Sequence, residues 1–212
     1  WDATNRRWGY VGEGSRTNLL LRSQEFDNAA WTKGAGASVS ANTAAAPDGA
    51  LTGDSLVASG SPGSVYQTVV GLTPATIYTA SAYVKYSNVQ WVRFMYYDGG
   101  GNQCRVWADI QNGVLGTGNA AGTGTFTSAT IKPEGNGWYR ISVTGTQPAV
   151  NGLVQFQPVT ADASTTSAAG TVYLWGAQLE AGPAPSSYIP TGASAVTRGA
   201  DLLTRALTGP EG

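Results

Sequence analysis

Apolar and polar side chains alternate with a period of two through most of this chain. The alternation is plainest in Tyr78–Lys85 (YTASAYVK), Trp91–Tyr97 (WVRFMYY), Gln103–Ile110 (QCRVWADI) and Trp138–Thr144 (WYRISVT). That period marks strands that bury one face. Thr17–Leu21, Val65–Val70, Phe126–Ile131, Leu153–Val159 and a run opening at Thr171 read the same way, as do the shorter Ala37–Ala41 and Ser55–Ala58. Turn formers separate the runs: Pro47-Asp48-Gly49, Gly71-Leu72-Thr73-Pro74, and Asp98 followed by three glycines. Gln24–Trp31 holds too many turn formers for a helix, and its Phe26 and Trp31 read as core anchors. Gly113–Gly124 reads as a glycine-rich loop, and with no GK[ST] after it the loop is a turn rather than a phosphate cradle. The pattern predicts about ten strands, no strongly amphipathic helix and no internal repeat: an all-β sandwich or barrel.

Taking the aliphatic set of each strand as core-facing leaves a second set pointing outward. On the clearest strands these are Thr79, Ser81, Tyr83 and Lys85; Trp91, Arg93, Met95 and Tyr97; and Gln103, Arg105, Trp107 and Asp109. Trp138, Arg140 and Ser142 follow, then Gln155 and Gln157. In the run from Thr171, Val172, Leu174 and Gly176 alternate with Tyr173, Trp175 and Ala177. Aromatic rings interleaved with Arg, Lys, Gln and Asp suit a sugar. Its C–H face packs on a ring, and its rim of hydroxyls takes planar hydrogen-bonding groups.

Composition narrows the chemistry. Charged residues make up 12% of the 212, and the net charge is −1. That leaves no basic footprint for nucleic acid, and no apolar run reaches the ~20 residues of a membrane helix. Histidine is absent, which removes His-dependent triads, bases and metal ligands. The single Cys104 excludes an intrachain disulfide, and its alternating neighbours make it a small core residue. Because the chain opens on Trp1, it reads as a piece of a longer polypeptide: an arm at 1–12 in which Trp8 and Tyr10 pack on something, one domain at 13–203, and a linker at 204–212.

Three stretches carry a resemblance. A strand ending GAQLEAG (Gly176–Gly182) is followed by SYIPT (Ser187–Thr191) and AVTRGAD (Ala195–Asp201). The opening stretch is EGSRTNLLLRSQEFDNAAW (Glu13–Trp31). Between them lies the hairpin YQTVVGLTPATIYTASAYVK (Tyr66–Lys85), in which Ala75 stands where such hairpins often have glycine. Together they resemble the jelly-roll modules of phage tail-fibre and other virion proteins, and are similar to the carbohydrate-binding modules of families four, nine and twenty-two. The resemblance implies a jelly-roll β-sandwich of two antiparallel sheets, concanavalin-like or galactose-binding-like in architecture. It also implies a concave sheet as binding surface, and a place in a virion appendage or outside the cell.

On that reading Trp91, Arg93, Tyr97, Arg105 and Trp107 are the leading sugar contacts. Tyr83, Lys85, Gln103, Asp109, Gln155 and Gln157 follow, and Trp138 and Trp175 are packing residues. Expected partners are a polysaccharide or oligosaccharide and other domains or subunits of the virion protein, with no nucleic acid and no membrane insertion. Arg93, Arg105 and Lys85 suit either an acidic polysaccharide or hydroxyls of a neutral one. No cofactor is expected. A structural Ca²⁺ of the kind such modules hold would draw on Glu25, Asp27 and Glu180. Catalysis would need two facing carboxylates, and only Asp109, with Asp98 at the rim, meets the outward set; the chain is read as not an enzyme. The alternatives are an aromatic face buried between subunits, making this a structural or oligomerisation domain, and an accessory module of a polysaccharide-degrading enzyme.

Overall fold

A computed structural model describes residues 12–201. The expected arm with Trp8 and Tyr10, and the linker from 204, lie outside the described residues. The strands are β1 (Arg16–Asn18), β2 (Thr32–Lys33), β3 (Ala37–Ala45), β4 (Leu51–Ala58), β5 (Val65–Val70), β6 (Ile77–Tyr86), β7 (Trp91–Tyr97), β8 (Gln103–Asp109), β9 (Val114–Ala121), β10 (Thr125–Pro133), β11 (Trp138–Thr146), β12 (Asn151–Val159), β13 (Gly170–Ala181) and β14 (Val196–Arg198). No helix occurs among the described residues, so none there could cross a membrane.

Two six-stranded antiparallel sheets form the sandwich. The back sheet runs β10-β11-β6-β13-β4-β3 and the front sheet β2-β5-β12-β7-β8-β9. Its central order, β4-β13-β6-β11 in one sheet and β5-β12-β7-β8 in the other, is the double Greek key of a jelly roll. The expected fold class is therefore the observed one. The alternation puts Ala80, Ala82, Val84, Ile141, Val143 and Leu174 inward from the back sheet, and Phe94, Val106, Val154 and Phe156 inward from the front. Phe94 stacks on Phe156 at 4.8 Å. Phe26 and Trp31, 4.6 Å apart, complete this core as anticipated, and Cys104 is buried in it.

β1 and β14 pair beside the sandwich, joining the opening segment of the described chain to its closing one. Buried Asn18 donates to the carbonyls of Ala177 (3.0 Å) and Ile189 (2.9 Å), which fixes the closing segment against the opening one. Glu13 pairs with Arg198 and accepts from the Ser187 amide at 3.0 Å.

Two expectations are corrected. Val114–Ala121 is strand β9, not a loop. It pairs with β8, and a strand so poor in large apolar groups has no alternation to show. In β13 the alternation breaks at a bulge between Trp175 and Gln178, where Gly176 has φ +60°. The extra residue shifts the phase, so Ala177 and Leu179 are buried in the core while Gln178 and Glu180 share the outer side with Trp175.

Candidate functional site

Register on the front sheet arranges its outward side chains in ranks, because directly paired residues point to the same side. One rank runs Tyr66, Gln155, Met95, Arg105, Asn119 across five strands. Beside it lie Thr68, Leu153, Tyr97, Gln103 and Ala121 on one side. On the other are Gln157, Arg93 and Trp107, then Val159, Trp91 and Asp109. Nine of the eleven expected contacts therefore share this face. Tyr83 and Lys85 do not: both are on β6, in the back sheet, so the eleven cannot form one surface. Their outward orientation was legible, but the sheet that β6 joins depends on long-range pairing.

The face is a layer of interlocked polar and aromatic groups. Arg105 donates from Nε to Asn119 Oδ1 (2.7 Å) and from Nη1 to Gln103 Oε1 (2.7 Å), and its guanidinium lies 5.2 Å from the Trp107 ring centroid. Arg93 donates from Nη2 to Gln157 Oε1. Burial, then the Arg105 charge, lower the pKa of Arg93, with Tyr97 opposing. The Tyr97 phenol is pushed up, first by burial. Trp91 reaches over β8 toward β9, where a Cβ added to Gly116 would lie 2.7 Å from its ring and would also collide with Asp162. Gly116 thus lets a half-buried indole lie across the sheet.

Trp107 is corrected as an exposed platform. It is 1% exposed, because the segment 160–167 folds over it and Ser164 O accepts its indole N–H at 2.6 Å. The same segment takes both hydrogens of the Gln157 amide, through Thr165 O (3.1 Å) and Ser167 Oγ (2.8 Å). Gln155, Gln157 and Asp109 are buried as well. Trp91, Arg93, Tyr97, Gln103 and Arg105 stay partly open. Tyr66 and Asn119 join them on the face, and neither was among the expected contacts. Tyr66 was legible from the alternation of β5; Asn119 was hidden with the unrecognised β9.

The back sheet's outer face is covered by its own chain. Tyr188 lies 4.7 Å from Trp175 and 6.0 Å from Tyr83, and its hydroxyl meets Ser23 Oγ at 2.6 Å. Trp138 donates to Ala45 O (2.8 Å) and Trp175 to Thr52 Oγ1 (3.0 Å). Both tryptophans are buried as packing residues, and Lys85 sits 6.0 Å from the Trp138 ring. Burial raises the Tyr188 hydroxyl to about 12.

Asp98 and Asp109, at the front face, are committed to turns. Asp109 accepts from Gln90 Nε2, Asn112 Nδ2 and the amides of Gln111 and Asn112. Asp98 accepts from the amides of Gly100 and Asn102 and from Asn102 Nδ2. Burial pushes both upward, but these hydrogen bonds outweigh it and hold both below the ordinary value of 3.8. Glu25 pairs with Arg22, while the buried Glu180 accepts from the Ser186 amide and hydroxyl, each at 2.7 Å. Among the described residues no three His, Cys, Asp or Glu side chains gather as a metal site would require.

At the end of the sandwich beside β1, a groove of about 370 Å³ is lined by Arg16, Leu19, Val70, Leu72 and Tyr78. Val70 on its edge is 73% exposed, and nearby Val150, whose carbonyl accepts from the Leu72 amide, is 55% exposed.

No protein-family model and no curated protein sequence matches this chain. Several solved structures are similar in fold, among them these two. One is the enzymatically active domain of bacteriophage CBA120 tailspike protein 4, at 15% identity and a TM-score of 0.42, covering 76% of this chain. The match covers 21% of the length of that solved domain. The other is a protein of Bacteroides thetaiotaomicron VPI-5482 with a provisional sugar-binding assignment, at 10% identity and a TM-score of 0.46, covering 78% of this chain and 100% of that one.

Proposed function

We propose that this domain is a non-catalytic carbohydrate-binding module that holds a virion appendage to a surface or cell-wall polysaccharide. The supporting observation is the contrast between its sheets. The back face is roofed by its own chain, while the front face leaves Trp91, Tyr97, Tyr66, Arg93, Arg105 and Gln103 partly open in adjoining ranks. A flat indole beside fixed guanidinium and amide groups offers a ring for the sugar's C–H face and donors for its hydroxyls. The virion setting rests on the resemblance of the opening and closing segments. Binding per site is weak, with avidity from several copies on one particle. The non-catalytic reading draws support from Asp98 and Asp109, carboxylates at the front face: a glycosidase's general acid needs a raised pKa, and turn hydrogen bonds lower both.

A glycan array with the purified domain, with and without EDTA, tests the reading. Retention of a glycan class that Trp91→Ala abolishes supports it, and sensitivity to EDTA would add a cation to the site. A second reading draws on the exposed Val70 and Val150 beside the end groove: a structural domain that packs against another subunit there. No retention on any glycan, together with a stable oligomer dispersed by Val70→Asp, would favour it.

A further inference from the structure

Of the six described arginines, Arg140 lies on the covered back face and donates to Ser81 Oγ and Ser186 O without an ion pair; the other five divide into two kinds. Arg16, Arg22 and Arg198 each pair with a glutamate. Arg93 and Arg105 have no ion pair among the described residues, although they lie in adjacent ranks of one face. Their partners are neutral amide oxygens: Gln157 for Arg93, and Asn119 and Gln103 for Arg105. The Nε–H of Arg93 is buried without an acceptor.

This arrangement has a physical cost. Two like charges close together on a half-buried surface repel, and desolvation adds to the penalty. Burial first, and then the Arg105 charge, depress Arg93. The acidic side chains at the edges of the face do not relieve it. Asp98 and Asp109 are taken by their own turns, and Asp162 accepts from the amide and hydroxyl of Thr117. Amide oxygens orient a guanidinium without cancelling its charge, so the forks are held in place with their positive charge available. A carboxylate meets a guanidinium through two parallel hydrogen bonds, the geometry a fixed fork favours.

We infer that Arg93 and Arg105 form a subsite for the carboxylate of an acidic sugar residue, with the Trp91 ring beside it taking the sugar's apolar face. The inference rests on the carbohydrate-binding reading above and narrows it to polysaccharides carrying uronic or related sugar acids. Lys85, which belongs to the back sheet, has no part in it.

The test is affinity electrophoresis of the wild-type domain in gels holding polygalacturonate, hyaluronan or polysialic acid. Carboxyl-reduced polygalacturonate, neutral dextran and dextran sulfate are the comparison gels. Retardation by at least one carboxylate polysaccharide is expected. If polygalacturonate is the one retained, carboxyl reduction should weaken it about tenfold or more. Arg93→Gln and Arg105→Gln should weaken retention similarly, with thermal unfolding confirming that each variant is folded. Arg105→Lys should recover only part of it, since an ammonium keeps the charge and loses the fork. Equal retention by the reduced polymer, or retention by a neutral glycan alone, overturns the carboxylate subsite and leaves the carbohydrate reading standing. Equal retention on dextran sulfate overturns it as non-specific charge attraction. No retention on any polysaccharide overturns both.

Discussion

The two outer faces of this sandwich are built from the same vocabulary and put to different ends. The back face carries Tyr83, Trp138, Tyr173, Trp175 and Arg140; the front face carries Trp91, Tyr97, Trp107, Arg93 and Arg105. On the back, the segment after β13 returns across the sheet. Gln178 accepts the Ile189 amide at 2.8 Å, and Arg140 donates to Ser186 O at 2.8 Å. The aromatics there became a second small core. On the front, the segment 160–167 covers one end only, and the rest remains a surface. An outward aromatic is therefore not itself a sign of a ligand; what matters is whether the chain returns to cover it.

Substitutions on the two faces should separate stability from binding. The largest effect is expected for Trp138→Ala, which removes a fully buried indole and its hydrogen bond to Ala45. Urea unfolding should show a loss of about 3–5 kcal/mol, with glycan retention intact in the folded fraction. Trp107→Ala should behave like a back-face variant despite its place in the front sheet. We expect a loss of about 3 kcal/mol and faster amide exchange across 160–167, the segment that Trp107 holds through Ser164. A Trp107→Ala domain of unchanged stability would show that the roof is not fastened there.

Trp91→Ala should invert the pattern. Stability should move by about 1 kcal/mol or less, while glycan retention falls about tenfold or more, roughly what one aromatic platform contributes. The smallest effect concerns acid. Asp109 has a folded pKa below its ordinary 3.8, so its contribution to stability is complete above that value and is lost as pH falls through the lower, folded one. Asp109→Asn should cost about 0.5–1 kcal/mol at pH 7 by weakening the turn, and the difference from wild type should vanish at the acid end of a pH series.

Much of this was legible in the residues. Alternation placed most strands and the correct outward set on β6, β7, β8, β11 and β12, because a half-buried strand must alternate. Residues such as Asp98-Gly99-Gly100 marked turns because their backbone requirements are local. What stayed hidden was non-local or lacked contrast. Tyr83 and Trp91 look alike in sequence, and only long-range pairing puts them in different sheets. The Ala, Ser and Thr of 160–167 gave no sign that the segment would bury Trp107. Val114–Ala121 had too few large apolar groups to declare itself a strand, and the phase change at Gly176 depends on a positive φ that many glycines never adopt.

On the proposed function, the front face and not the back meets carbohydrate. The most direct test is a titration of the ¹⁵N-labelled domain with the oligosaccharide best retained on the array, following the indole N–H signals. Trp91 reports the open front face, Trp107 the layer beneath segment 160–167, and Trp138 and Trp175 the roofed back. A saturable shift is expected at Trp91, a smaller one at Trp107, and none at Trp138 or Trp175. Shifts centred on Trp138 and Trp175 with Trp91 unmoved would contradict it.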